Sequence, residues 1–420
     1  MTESPLFAPE WPAAPSPVVD PVSVALRPRP EKIKTLHIIT RFRDGSGGNT
    51  LMTLLGADQA RYDLWLAASR GGPLWERAAS SGVRTVQLGH LREKIAPLDD
   101  VVTLFQLARL IRRERFTIVH THSSKAGILG RLAAWLCRTP VIVHTIHGFA
   151  WHDFMSPRRR SIYIALERLA RPMTHAFFAV SPRVATEAVR VGMARSTNVF
   201  VVPSAVALDE IPDGSDPLMR AVLGIPADVP VVGTVGRLDF QKAPLDFVRM
   251  AASVRTSHPD TRFVWVGEGQ LLEEAQAEAR RLGVEVIFTG FRDDAARIAS
   301  SFDVFVISSL YEGLGRALSE AMASGRPVVA TAVNGVVDIV EPGVTGLLAP
   351  PADPEALASK VVWLLDRPGA ARRMGEAGRK RARSLFDPAL MCGLVEQAYA
   401  RLLGPTVRAR ASSTAGSVED

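Results

Sequence analysis

The chain has 420 residues, 47% hydrophobic and 22% charged, with two cysteines, Cys137 and Cys392, far apart and outside any CxxC pattern. Single cores stop growing near about 300 residues, so two domains are expected; the cysteine usage excludes a disulfide framework and a thiolate zinc cluster, and with no apolar run of about eighteen residues and no basic-then-apolar leader a cytoplasmic protein is expected. The net charge of +7 is uneven, with 27 basic and 15 acidic residues in 1–205 against 23 and 28 in 206–420, so the amino half attracts anions; without a helix-turn-helix, zinc-finger or RNP-type signature, nucleic acid is not the expected partner.

In chain order, residues 1–30 are proline-rich and predict a disordered tail. Short apolar runs then alternate with amphipathic stretches: Thr35–Thr40, Leu64–Ala68, Val83–Leu88, Phe116–His120, Pro140–His144, Ala176–Val180 and Asn198–Val202. One helical stretch between them, Val101–Arg115, carries Val102, Phe105, Leu107, Leu110 and Ile111. A junction near Pro203–Pro217, with Asp213-Gly214-Ser215, precedes a second series: Val231–Val235, Arg262–Val266, Val284–Phe288, Val304–Ile307 and Pro327–Ala330. Continuous β-branched runs separated by helices indicate parallel sheets covered on both faces. The expected fold is α/β, with two doubly wound Rossmann-like domains at 31–205 and 206–387 facing a central cleft, a helix at 388–405 returning to the first, and a tail at 406–420.

Ligands in open parallel sheets bind beyond the carboxyl ends of the strands. After Val231–Val235 come Gly236, Arg237 and, five residues on, Lys242; two cations at a helix entrance suit a diphosphate, the alternative being a loop with two solvated charges. After Val304–Ile307 comes Tyr311-Glu312-Gly313-Leu314-Gly315-Arg316, with Glu320 on the following helix. Glycines bare the N–H groups of that helix start for an anion, and carboxylates accept hydrogen bonds from sugar or ribose hydroxyls; the alternative is a dipole-stabilising Glu312 and a solvated Glu320. His120, His122, His144, His147 and His152 raise the question of a metal, but their spacing gives no HExxH or paired ligand set, and strand-end histidines in a polar cleft are expected instead. No GxSxG elbow is present.

GRLDFQKAP followed by YEGLGRALSEAMASGRPVVAT resembles the donor domain of retaining GT-B glycosyltransferases of glycosyltransferase family 4, whose E-x7-E pattern Glu312 and Glu320 match. The resemblance runs from about Ile33 to Leu403 and takes in Gly47-Gly48 as the family's glycine-rich loop and Val119–Arg131 and His144–Phe149 as acceptor-domain signatures. It implies that Arg237 and Lys242 neutralise the diphosphate of a nucleoside-diphosphate sugar, UDP- or GDP-linked. It implies further that Glu320 binds the ribose, and that Glu312 with the backbone of Gly313, Leu314, Gly315 and Arg316 holds sugar hydroxyls and phosphate. Gly47 and Gly48 would close a glycine-rich loop onto the phosphates, His147 would reach the donor sugar, and Phe291 would lie where the backbone meets the base. The sugar donor is a co-substrate; no resident cofactor is expected. No Asp-x-Asp occurs, so metal-independent catalysis is expected. Three places depart from the family pattern: Asn334-Gly335 stands where a Gly-Gly pair is common, Asp338 where a glutamate is common, and Ala243 where glycine is frequent.

The expected acceptor is a saccharide, above all a lipid-diphosphate-linked one in exopolysaccharide, capsule or lipopolysaccharide assembly. Arg158, Arg159, Arg160, Arg168 and Arg171 around Ile162, Ile164 and Leu166 would dock the enzyme peripherally on an anionic membrane, whereas Arg109, Arg112, Arg113 and Arg115 read as a solvated helix end. Competing readings are glycosylation of a small soluble acceptor in secondary metabolism, a nucleotide-sugar epimerase of the same architecture, and a nucleotide-sugar-binding protein without transfer activity.

Overall fold

The computed structural model describes residues 9–13 and 32–413 apart from Asp44, Arg70, Gly71, Asp213 and Ser215, with the side chains of Pro217 and of residues beyond 404 left out. Most of the expected amino-terminal tail, residues 414–420 of the other tail, and Asp213 and Ser215 of the junction therefore lie outside the described residues. The chain divides into two compact units, one of residues 1–205 with 388–420 and one of residues 206–387.

The first unit is built on seven strands: β1 (Ile33–Ile39), β2 (Tyr62–Ala68), β3 (Arg84–Gln87), β4 (Ile118–His122), β5 (Val141–Ile146), β6 (Ala176–Ala179) and β7 (Val199–Val201). They form a sheet in the order β3-β2-β1-β4-β5-β6-β7, each neighbouring pair parallel. Alternation along each strand sends side chains to opposite faces. Leu36, Ile38 and Val119 pack with Leu107 and Ile111 of the helix Pro97–Glu114 and Ala133 of the helix Ser124–Leu136. On the other face, Ile39, Val143 and Phe178 pack with Met391, Val395, Tyr399 and Leu403 of the helix Pro388–Ser413. That helix breaks at Gly404 (φ 54, ψ 177), and its backbone is helical again to Ser413. Residues 406–413 thus depart from the tail expected at 406–420; alanine and arginine, plentiful there, are strong helix formers.

Not every apolar residue of the helical stretch after β3 faces the core. Leu107, Leu110 and Ile111 are buried, but Val102 and Phe105 are exposed, together with Leu98 and Val101. Beneath the neighbouring helix, Arg131 is fully buried and its guanidinium meets Glu167 Oε2 at 2.6 Å while donating to the Gly127 carbonyl at 2.8 Å. Within the stretch read as an acceptor-domain signature, Arg131 is therefore a structural ion-pair residue.

The second unit carries β8 (Val231–Val235), β9 (Arg262–Val266), β10 (Val286–Phe288), β11 (Val304–Ile307), β12 (Val328–Thr331) and β13 (Leu347–Ala349), again all parallel, in the order β10-β9-β8-β11-β12-β13. Val232, Val304 and Trp265 pack with Phe247 and Val254 of the helix Pro244–Arg255 on one face. Both sheets reverse strand order once, between β1 and β4 and between β8 and β11. In open α/β sheets the carboxyl ends beside such a reversal are where ligands are received.

Candidate active site

In the second unit the reversal brings together the two segments singled out in the sequence. After β8 the backbone turns through Asp239, whose carboxylate accepts from the Lys242 N–H at 3.2 Å and starts a short 3-10 turn, Phe240–Lys242. The turn aims the Lys242 ammonium at Glu312, which follows β11, and the two form an ion pair with side chains only 16% and 6% exposed. Glu312 is fixed from two further sides. Ser309 Oγ donates to Oε1 at 2.7 Å, and Gln241 Nε2 donates to Oε2 at 3.3 Å and to the Tyr311 carbonyl at 3.1 Å. Arg237 is the open end of this array: its side chain is 63% exposed, with Asp239 Oδ2 at 3.1 Å and Gln241 Oε1 at 3.4 Å. A buried, braced cation beside an exposed one is suited to gripping a polyanion, because the first costs no reorganisation when charge arrives and the second reaches for it.

The helix Arg316–Ala323 begins at Gly315, in the left-handed region at φ 92, with no side-chain cap. Its first N–H groups are therefore open to an acceptor. Glu320, one turn in, accepts from Arg316 Nε at 2.8 Å. Neighbouring loops press bare backbone against this region. A Cβ on Gly335 would lie 2.1 Å from the Gly313 carbonyl oxygen, and one on Gly267 would lie 2.1 Å from that of Gly236. Only glycine permits either approach. Gly267, just past β9, donates to the carbonyl of Gly290, beyond β10, at 2.9 Å, and Phe291 next to Gly290 is exposed.

In the first unit, Gly47 and Gly48 are buried in the first turn of the helix Ser46–Gly56, within the helix and not in a loop before it. The backbone has already turned at Gly45 (φ 62), which leaves the pair free to wind. The histidines also depart from expectation. β4 continues past His120 to His122, and both rings, with His37 of β1, are inside the sheet at 1% exposure. His120 lies between Tyr399 Oη and Thr145 Oγ1, each at 2.6 Å. His122 Nε2 is 3.1 Å from His37 Nδ1, and its Nδ1 is 3.1 Å from Nε2 of His147, just beyond β5. Burial pushes His37 down to about 3 and His147 to about 4, and holds His120, His122 and His144 well below the usual histidine value, neighbouring charges adding to the effect. These rings are neutral at pH 7. Nitrogens of His37, His120 and His122 come within 4.8 Å of one another, but both nitrogens of His120 and His122 are already hydrogen-bonded, so ligation would have to break those bonds.

Two family models match the chain: a glycosyl transferase 4-like domain over residues 45–205 and glycosyl transferases group 1 over residues 215–381. The chain belongs to the group 1 glycosyltransferases. This glycosyltransferase is 32% identical over 313 residues to the Escherichia coli UDP-Gal:alpha-D-GlcNAc-diphosphoundecaprenol alpha-1,3-galactosyltransferase, a match covering 73% of this chain and 81% of that protein. It is 30% identical over 317 residues to the 2-deoxystreptamine glucosyltransferase of Streptomyces kanamyceticus, covering 72% and 81%. Its fold is similar to that of Anabaena Alr3699/HepE, crystallised with UDP and glucose, at a TM-score of 0.75 and 19% identity over 87% of this chain and 99% of that one. The expected GT-B architecture of two parallel-sheet units is therefore the one observed.

Of the residues singled out in the sequence of this glycosyltransferase, Arg237, Lys242, Glu312, Gly313, Leu314, Gly315, Arg316 and Glu320 cluster around the β8/β11 reversal, and Phe291 lies farther along the same sheet edge, beyond β10. His147, Gly47 and Gly48 belong to the first unit. The sequence reading missed Gln241, which joins Arg237 to Glu312, and Ser309, which braces the carboxylate. Gln241 adjoins Lys242 in the quoted motif, so adjacency was an available signal; nothing local marks Ser309. It also missed His37, which no histidine motif includes.

Proposed function

We propose that this glycosyltransferase moves a sugar from a UDP- or GDP-linked donor to a saccharide hydroxyl with retention of anomeric configuration and without a divalent metal. The Lys242–Glu312 ion pair at the β8/β11 reversal, with exposed Arg237 beside it, carries this reading. As the bond between anomeric carbon and phosphate oxygen breaks, negative charge grows on the leaving diphosphate and positive charge on the sugar. Arg237 and Lys242 stabilise the former, with the N–H groups at Gly315–Arg316; Glu312 holds sugar hydroxyls and Glu320 the ribose. The departing phosphate oxygen takes the acceptor hydroxyl's proton on the face where the new bond forms, so no side-chain nucleophile is required. His147 and the Gly47–Gly48 helix start serve the substrates from the first unit.

The acceptor we favour is a lipid-diphosphate-linked saccharide presented at an anionic membrane surface. The similarity to the diphosphoundecaprenol-dependent galactosyltransferase supports it. So does the helix Pro157–Ala170, where Arg158 and Arg159 are exposed beside an apolar stripe of Ile162, Leu166 and Leu169, exposed by 59%, 37% and 68%. The helix Pro97–Glu114 of the same unit also exposes Leu98, Val101 and Phe105. No helix among the described residues is long and apolar enough to cross a membrane. The similarity to the 2-deoxystreptamine glucosyltransferase supports a second reading, a small soluble acceptor. Flotation with vesicles separates them: the protein rises with anionic vesicles and not with neutral ones, and Ile162→Ser with Leu169→Ser abolishes the effect. Equal recovery in the unbound fraction with both lipids would leave the soluble acceptor standing.

A further inference from the structure

The first sheet reverses its strand order between β1 and β4, and the side chains at that reversal are histidines. His37 comes from β1, His122 is the last residue of β4, and His147 lies just past β5. Two nitrogen–nitrogen contacts of 3.1 Å join them in a row, His37 Nδ1 to His122 Nε2 and His122 Nδ1 to His147 Nε2. In both pairs the ring centroids are 5.3 Å apart, with the planes at 14° for His37 and His122 and at 30° for His122 and His147, so the rings meet edge to edge as an N–H···N bond requires. His120, pinned between Tyr399 and Thr145, stacks on His122 from behind at 4.3 Å. At the outer end, His147 is partly exposed and lines a small pocket with Ser123, Gly148, Phe149 and Trp151. Its Nδ1 has no hydrogen-bond partner among the described residues.

A neutral imidazole has one N–H and one bare nitrogen, and the bond made by one nitrogen decides the state of the other. Each contact in the row therefore holds one proton, and His122, which uses both nitrogens, couples the two. With its proton on Nδ1, His122 donates to His147 Nε2, and His147 carries its own proton on Nδ1. With its proton on Nε2, His122 donates to His37, receives from His147 Nε2–H, and leaves His147 Nδ1 a bare acceptor. A ring charged in either state would have to be ionised in the sheet interior, which burial disfavours.

We propose that His122 and His37 are positioning residues of this transferase, the row holding His147 in a single tautomer and ring orientation so that its Nδ1 offers one fixed hydrogen-bonding role to a substrate hydroxyl. This rests on the reading of the chain as a sugar-transferring enzyme whose substrate meets His147. The row is inherent to the folded protein, so it is measurable without turnover.

The test is nitrogen NMR of histidine-labelled full-length protein at pH 7.5, with the His147 signals assigned from His147→Gln, alongside steady-state kinetics. In the unsubstituted protein His147 should show one protonated and one bare ring nitrogen at fully separated shifts. His122→Leu should collapse them toward the average of two tautomers and lower kcat about tenfold, the weight of one hydrogen bond, with the KM for the nucleotide sugar unchanged. His122→Asn, whose amide can donate to His147 Nε2, should restore a single tautomer with the proton on Nδ1 and recover most of kcat; it also serves if the leucine variant does not fold. Averaged shifts in the unsubstituted protein, or shifts unmoved by His122→Leu and by His122→Asn, would overturn the proposal. So would a lower melting temperature with kcat per folded molecule intact. Failure of every nucleotide sugar to react would count against the transferase reading alone, because the NMR result stands without it.

Discussion

At the residue scale, the way Lys242 is held matters most. Its ammonium is not waiting in solvent: Glu312, buried and braced by Ser309 and Gln241, fixes its position. In the proposed reaction a phosphate meets there a cation whose orientation is already set, and a preorganised donor of this kind is worth roughly 3–4 kcal/mol at the transition state. Lys242→Ala is therefore expected to lower kcat by about two to three orders of magnitude, measured with the melting temperature as a control, since the change also strips a buried carboxylate of its partner. A fall below tenfold in folded protein would contradict the role. The family departure at Ala243 also has a physical reading. The residue sits at φ 48, ψ 61, in the left-handed region, where an L side chain is strained and glycine is not, so the residue frequent in the family is the one this backbone prefers.

At the scale of elements, two buried polar arrangements make opposite demands. The Arg131–Glu167 pair joins two helices of the first unit with almost no access to water. Removing one partner leaves an uncompensated buried charge, so Arg131→Ala should cost about 3–5 kcal/mol, read from urea unfolding midpoints; a loss under 1 kcal/mol would mean that water reaches Glu167. The histidine row stays neutral when folded, whereas the same rings in the unfolded chain become charged below pH 6.5. Between the usual 6.5 and the value of about 3 for His37, the unfolded chain binds a proton that the folded chain does not. This part of the stability is complete above pH 6.5 and is lost as the pH falls toward 3, by about 1.4 kcal/mol per pH unit for each such ring. Urea midpoints should drop steeply from pH 6.5 to 5, before most carboxylates titrate, whereas a flat profile would mean that the rings already share protons with solvent.

At the scale of the whole molecule, much of the architecture was legible because parallel strands buried on both faces must be continuously apolar. Val231–Val235, Arg262–Val266 and Val304–Ile307 were read with the observed bounds. The edge strand β13 was not, since Leu347–Ala349 is too short to give a pattern. β4 was ended early because Thr121 and His122 are polar, although both are buried, and that error turned an interior histidine row into expected cleft residues. The two motifs proposed to hold phosphate were legible because glycines and charges directly after a strand have few structural uses. Gln241, Ser309 and His37 were not, because each owes its importance to a neighbour distant in sequence.

The proposed function requires that Arg237 and Lys242 of the second unit bind two linked phosphates without an ion between them. Calorimetric titration of UDP and GDP into the full-length protein, in excess chelator, tests it most directly. Saturable binding of at least one of them is expected, unchanged by chelator and abolished by Arg237→Ala with Lys242→Ala. Binding that disappears with chelator, or that survives the loss of both cations, would contradict it.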